Sequence, residues 1–215
     1  MQVKICGIKS LDAAMSAVEA GADLIGFVFA DSKRRISPSQ AKQIADHIPS
    51  DVKKVGVFVN EDAEKMNEIA EYVGLDFIQL HGDETPEDAM TLNRPIIKAF
   101  SIDRIVEIES FPCDYYLIDS PSGRYRGGTG LPFNWEKLHH TPLNKDQLIL
   151  AGGLNEENVA EAIAIVNPAL LDVSSGVETN GEKDPEKIRS FIEEAKRAFQ
   201  YLKESEGNDN IYTTK

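Results

Sequence analysis

The chain has 215 residues and a formal net charge of −13, from 23 Lys and Arg against 36 Asp and Glu. Its hydrophobic content of 41% is enough for a sizeable core and excludes a wholly disordered chain. The acidic balance argues against nucleic-acid binding, and two widely separated cysteines do not make a disulfide scaffold. The first residues contain no long apolar stretch, so we expect no signal peptide, and no apolar run is long enough to predict a membrane span. We therefore expect a cytoplasmic protein that binds neither nucleic acid nor membrane.

Eight short apolar runs alternate with amphipathic segments along the chain. Continuous apolar runs of this kind are typical of strands buried on both faces of a parallel sheet, and the amphipathic segments have the 3.6-residue period of helices. In chain order the predicted strands are Val3–Cys6, Leu24–Phe29, Lys54–Val59, Phe77–Leu80, Ile96–Ala99, Tyr115–Ile118, Leu148–Ala151 and Leu170–Val173.

Start signals support the helices. Ser37 precedes a proline and is followed at the third position by Gln40, which is the pattern of a capping box. Thr85-Pro86 and Asp184-Pro185 have the same form of a capping residue before proline.

Strand and helix alternation at this spacing predicts βαβ units, and eight of them fit a single-domain (β/α)8 TIM barrel. The rival fold is an open doubly wound sheet, but no GxGxxG turn follows the first strand. We expect the barrel over residues 1–202 and a polar, frayed C-terminal tail over residues 203–215.

Barrel enzymes carry their active sites at the carboxyl ends of the strands, and two glycine-containing loops stand out there. These loops follow strands 7 and 8, where backbone N–H groups can approach a phosphate closely. The alternative is that the glycines only make tight turns, but two adjacent loops with the same chemistry favour a phosphate site. The candidate residues are Gly152, Gly153, Ser174, Ser175 and Gly176, with Asn155 as the cap of the following helix.

Cys6 and Asp119 end strands 1 and 6. A cysteine in such a position is usually a small core residue, and an aspartate there often only caps a loop. At the mouth of a barrel, however, a thiolate and a carboxylic acid form a base and acid pair that can act on one substrate.

Three further candidates follow strands 2 and 4. Arg34 lies in a Lys-Arg-Arg run, which is typical of a solvated surface, but its loop position suits recognition of a carboxylate. Gln79 and His81 end strand 4 as substrate-binding candidates. The four histidines and two cysteines show no metal-ligand spacing, so no metal site is expected.

The chain resembles the phosphoribosylanthranilate isomerase family of tryptophan biosynthesis. The matching segments occur in family order over about residues 3–200. They are KICGI (4–8), GADLIGFVF (21–29), SKRRISP (32–38), VGVFVNE (55–61), IQLHGDE (78–84), LID (117–119), GGTG (127–130), AGGLNEENV (151–159) and DVSSGVE (172–178).

The resemblance implies an Amadori rearrangement of N-(5-phospho-β-D-ribosyl)anthranilate to 1-(2-carboxyphenylamino)-1-deoxy-D-ribulose 5-phosphate. The family's general acid corresponds to Asp119, its base to Cys6 and its carboxylate-binding arginine to Arg34. It implies no metal or organic cofactor, and a monomer or homodimer. Arg124 and Arg126 are additional cations to which the resemblance assigns no role.

Two alternatives stay open at this point. One is another phosphate-binding barrel of tryptophan or histidine synthesis, although the sugar isomerases of histidine synthesis pair aspartates at strands 1 and 5 and this chain has Cys6 at the first. The other is a non-catalytic barrel that binds a phosphorylated ligand, for which Cys6 and Asp119 would be dispensable.

Overall fold

The computed structural model describes residues 2–120, 133–138, 141 and 143–209. Eight parallel strands form a closed barrel, in which each strand pairs with the next along the chain and the eighth pairs with the first. The predicted barrel and its eight strands are confirmed, with ends that shift by at most two residues. The strands are β1 (Gln2–Cys6), β2 (Leu24–Val28), β3 (Lys53–Phe58), β4 (Phe77–Leu80), β5 (Ile96–Ser101), β6 (Tyr115–Asp119), β7 (Leu148–Leu150) and β8 (Leu170–Val173).

Six α-helices lie in the described part of the chain, and their starts follow the predicted capping signals. Ser37 and Gln40 form a capping box, and Thr85 forms one with Asp88. The Asp184 carboxylate accepts hydrogen bonds from the first N–H groups of the last helix. The helices are α1 (Leu11–Ala20), α2 (Pro38–Ala45), α3 (Ala63–Val73), α4 (Pro86–Met90), α5 (Val159–Val166) and α6 (Pro185–Asp209).

The connection after β5 departs from the predicted alternation, because it is a 3₁₀ helix over Ile102–Ser110 instead of an α-helix. The backbone of Arg104 is non-helical, with φ −117° and ψ 21°, so the segment consists of two short 3₁₀ pieces that meet at a kink. Ile102 and Ile108 are buried and Ile105 packs against the same core. The isoleucines therefore anchor this segment to the core on both sides of the kink.

The remaining connections bring three further differences. In the described part of the connection between β6 and β7, the helical segments are 3₁₀ helices, Trp135–Leu138 and Lys145–Gln147. A short hairpin of β9 (Glu178–Thr179) and β10 (Glu182–Lys183) follows β8. Helix α6 continues to Asp209, so the first part of the predicted frayed tail is helical. The loop containing Arg124 and Arg126 lies outside the described residues.

Alternate residues of each strand face the two sides of the barrel wall. Odd-numbered residues of β1 pack against the helices, while apolar side chains from β2, β3, β5, β6 and β7 fill the interior. The interior core consists mainly of Leu24, Val55, Ile97, Leu117 and Ile149. Among the described helices, none is long and apolar enough to cross a membrane.

Candidate active site

The end of β1 places Cys6 at the mouth of the barrel, with its carbonyl accepting a 3.0 Å hydrogen bond from Ser174 Oγ. The next residue, Gly7, has a positive φ of 83°. A Cβ on Gly7 would lie 2.5 Å from Arg34 Cδ, so only glycine lets the arginine cross this close to the strand end. The turn thus brings the base candidate and the carboxylate-binding candidate together.

Below the thiol, the centre of the barrel holds a buried ion pair. Lys4 is completely buried, and its Nζ donates to Asp172 Oδ1 across 2.9 Å, joining β1 to β8. Burial raises the pKa of the Cys6 thiol, whereas the positive charges of Lys4 and Lys183 act in the opposite direction. The thiol is therefore shielded from solvent, which disfavours the thiolate, but it lies near two lysines whose positive charges favour the thiolate.

Arg34 and Lys183 share one carboxylate at the same rim. Glu178 Oε1 accepts from Arg34 Nε at 2.6 Å and from Lys183 Nζ at 2.8 Å, and Oε2 accepts from Arg34 Nη2 at 3.0 Å. Burial opposes the charged form of Glu178, but these hydrogen bonds and charges lower its pKa to about 2. Lys183 also donates to the Ser174 carbonyl at 2.9 Å, which ties the β8 loop to the cluster.

Asp119 ends β6 and stands beside His81, with 3.5 Å between Oδ2 and the histidine Nε2. Its other oxygen accepts from the Ser120 N–H at 2.7 Å. Gln79 Nε2 lies 3.1 Å from His81 Nδ1, and a bond donated by Gln79 leaves the histidine proton on Nε2, facing the carboxylate. The structure therefore brings Gln79, His81 and Asp119 into one row.

The two phosphate-loop candidates form one surface. A Cβ on Gly152, which has a φ of 86°, would lie 3.0 Å from Asp119 Oδ1, so the β7 loop passes directly against the acid candidate. A Cβ on Gly176 would collide with the Leu154 carbonyl, so the β8 loop packs against the β7 loop. Ser175 begins a 3₁₀ turn, whose first N–H groups have no partner within the turn.

Asn155 caps the turn that enters α5, although the α-helix itself begins only at Val159. Its Oδ1 accepts from the N–H groups of Glu157 and Asn158 at 2.9 Å and 3.1 Å. Asn158 in turn donates to the Gly153 carbonyl at 2.9 Å. These bonds fix the shape of the β7 loop.

Sequence reasoning missed four charged residues that surround Cys6, namely Lys4, Asp172, Glu178 and Lys183. A signal for two of them was present, because Lys4 and Asp172 interrupt otherwise apolar strands and a charge in such a run needs a buried partner.

Within the described residues, no group of three or more His, Cys, Asp and Glu side chains could hold a metal ion.

Comparison with known proteins identifies the family. The family model described as N-(5'phosphoribosyl)anthranilate (PRA) isomerase matches residues 3–194. A relative named N-(5'-phosphoribosyl)anthranilate isomerase, from Bacillus mycoides, is 52% identical over 200 residues, covering 91% of this chain and 98% of the relative.

Two solved structures agree with this relationship. A phosphoribosyl anthranilate isomerase in complex with reduced 1-(o-carboxyphenylamino)-1-deoxyribulose 5-phosphate is 40% identical, with a TM-score of 0.79 over 92% of this chain and 99% of that chain. Monomers generated from the dimeric isomerase of Thermotoga maritima give 40% identity and a TM-score of 0.78, at the same coverage. The chain belongs to the phosphoribosylanthranilate isomerase family and is an aldose–ketose isomerase of tryptophan biosynthesis.

Proposed function

We propose that Cys6 is the general base and Asp119 the general acid of this isomerase, and that the loops between them bind the substrate phosphate. The supporting observation is the order of these groups around the mouth. Strands β6, β7, β8, β1 and β2 are successive neighbours in the closed barrel. In that order they carry the acid, the two phosphate loops, the base and the Arg34 loop.

The chemistry follows from the two proton positions. Asp119 gives a proton to the ring oxygen of the phosphoribosyl group, and the ring opens to a Schiff base of the anthranilate nitrogen. The Cys6 thiolate then removes the proton from C2, and the electron pair of that C–H bond reduces the imine to an enolamine. Tautomerisation of the enolamine gives the ketone product, so protons and electrons balance within one substrate and no cofactor is needed.

Binding divides between the two ends of the substrate. The backbone N–H groups of Gly153, Ser175 and Gly176 suit the phosphate, because backbone donors can bind an anion without the help of lysine or arginine side chains. This matters in a chain whose net charge is −13. The guanidinium of Arg34 suits the anthranilate carboxylate. Gln79 and His81 face the acid, and Gln79 Oε1 is a buried oxygen without a hydrogen-bond partner among the described residues, which supports a contact with substrate.

We also propose that residues 1–202 are one catalytic domain that acts in the cytoplasm as a monomer or homodimer. The match of the family model to residues 3–194 supports this extent. The dimeric state of the Thermotoga maritima relative supports the homodimer.

The test is loss of the fluorescent anthranilate substrate, followed with the unmodified chain, Cys6→Ser and Asp119→Asn. We expect turnover by the unmodified chain and a loss of ~10²–10⁴-fold in each variant, the usual contribution of general acid–base groups. Cys113→Ser is the matched control for the thiol, because Cys113 precedes β6 at the opposite end of the barrel. Full turnover in Cys6→Ser or Asp119→Asn would contradict the role of that residue, and binding without turnover by the unmodified chain would favour a non-catalytic barrel.

A further inference from the structure

Lys4 takes no part in the proton transfers, yet it occupies the centre of the barrel with its side chain completely buried. It is paired with Asp172, and a buried lysine without such a partner would be strongly destabilising. An ion pair in a barrel interior is seldom needed for stability, since apolar residues of similar volume serve as well or better. The pair therefore calls for another explanation.

The position of Lys4 relative to the thiol supplies one. Lys4 and Cys6 are two residues apart on β1, so both side chains point into the barrel. Opposite them on β2 stands Gly26, and a Cβ there would lie 3.0 Å from Cys6 Sγ and 3.1 Å from Lys4 Cε. The thiol and the upper part of the lysine side chain are thus immediate neighbours beneath the same glycine.

The charges around Cys6 do not cancel while the thiol is protonated. The cations that act on it are Lys4 from β1, Lys183 from β10 and Arg34 from the β2 loop. The anions are Asp172 from β8, which acts on the thiol, and Glu178 from β9, which is paired with Arg34 and Lys183. Three positive charges meet two negative ones, so a thiolate at Cys6 makes this buried cluster neutral. Burial still opposes the formation of the thiolate. The stabilisation of the thiolate therefore depends most on Lys4, whose charge opposes the effect of burial most strongly.

We propose that Lys4, oriented by Asp172, is a positioning residue that supplies the counter-charge for the Cys6 thiolate. Asp172 has two opposite effects on the thiolate: it holds the ammonium group in place, and its own negative charge disfavours a second anion nearby. The importance of this pair for catalysis rests on the proposed role of Cys6 as base. The effect of this pair on the ionisation of the Cys6 thiol does not depend on that role, and this effect can be measured without substrate.

The experiment measures the ionisation of Cys6 directly. Cys113→Ser leaves Cys6 as the only thiol, and its alkylation by iodoacetamide is then followed as a function of pH. Lys4→Met, which keeps the length of the side chain but removes its charge, should shift the alkylation midpoint upward. One pKa unit corresponds to about tenfold slower alkylation at neutral pH, and we expect at least that. Asp172→Asn should shift the midpoint downward, because an asparagine Oδ1 can still accept the hydrogen bond from Lys4 while the negative charge that disfavours the thiolate is removed.

The opposite signs separate this proposal from general damage to the fold. The matched control is Lys98→Met, because Lys98 is also buried and paired with a carboxylate, Glu84 at 2.7 Å, but lies on the helix-facing side of the barrel. It should lower stability and leave the Cys6 midpoint unchanged. If Lys4→Met does not fold, Lys4→Gln carries the same test, because glutamine also removes the charge but can still donate a hydrogen bond to Asp172.

An unchanged or lower midpoint in Lys4→Met, or an unchanged or higher one in Asp172→Asn, overturns the proposal. Neither result bears on whether Cys6 is the base, which the turnover of Cys6→Ser decides. If Cys6→Ser keeps full turnover while Lys4→Met shifts the midpoint, the base assignment fails and the electrostatic pairing stands.

Discussion

Arg34 and Glu178 form a bidentate ion pair, in which Nε donates to Oε1 at 2.6 Å and Nη2 donates to Oε2 at 3.0 Å. A guanidinium group has five N–H donors in one plane, and this pairing uses one edge of it. The second edge, formed by Nη1 and Nη2, keeps its geometry for another planar anion. Glu178 therefore holds the arginine in an orientation that suits the proposed binding of the anthranilate carboxylate.

Arg34→Lys should raise KM for the phosphoribosylanthranilate substrate by ~10-fold or more, because a lysine cannot hold Glu178 and a second carboxylate with two planar forks. The effect on kcat should be smaller, since lysine keeps the positive charge near Cys6 and loses only the planar contact with the carboxylate. Steady-state kinetics checks this, with the exposed neighbour Arg35→Lys as the matched control. Equal KM values for the two variants would contradict the carboxylate site.

Ser175→Asp should raise KM by ~10-fold or more, because it places a negative charge beside the proposed phosphate position. Ser175 is exposed and begins a 3₁₀ turn, so the substitution strains neither packing nor backbone. Ser175→Asn has the same shape without the charge and should change KM little. A similar KM in both variants would place the phosphate elsewhere.

Gly26→Ala should lower kcat by ~10-fold with little change in KM. The added methyl group would lie 3.0 Å from Cys6 Sγ, so the thiol must shift by a few tenths of an ångström, and small displacements of a reacting group are costly. Kinetics and thermal unfolding together check this. A retained kcat would show that the thiol position is not critical.

The stability of the protein at acidic pH tests the ion pairs that Glu178 forms with Arg34 and Lys183. Burial would raise its pKa, but Arg34 and Lys183 lower it from 4.5 to about 2. A lowered folded-state pKa stabilises the protein above pH 4.5, and this contribution is lost as the pH falls from 4.5 towards 2.

Over that range the unmodified chain should lose ~1–2 kcal/mol relative to Glu178→Gln, less than the full linkage value because solvent screens part of the cluster. Urea unfolding at several pH values measures the difference. Parallel pH dependence in the two proteins would mean that Glu178 is not ion-paired in solution.

The eight strands could be predicted because most are continuous apolar runs, and three helix starts could be predicted because their capping residues act locally. The 3₁₀ segment after β5 was missed, since the kink at Arg104 divides it into pieces that are too short to give a helical period in the sequence. The phosphate loops and the two candidate catalytic residues could be found from their places after strands. Their contacts could not, because Lys4 meets Asp172, and Arg34 meets Glu178, only once distant segments close into a barrel.

The pair of Lys4 and Asp172 also determines when, during synthesis and folding, the charged surroundings of Cys6 are complete. Its two members are 168 positions apart, on the first and last strands of the barrel. During synthesis the lysine and the thiol leave the ribosome early, and the aspartate that orients the lysine follows near the end. The electrostatic surroundings of Cys6 are therefore completed only by the final ring closure, so shortened or half-made chains that lack β8 contain Cys6, Lys4 and Arg34 but not the carboxylates that pair with these two cations.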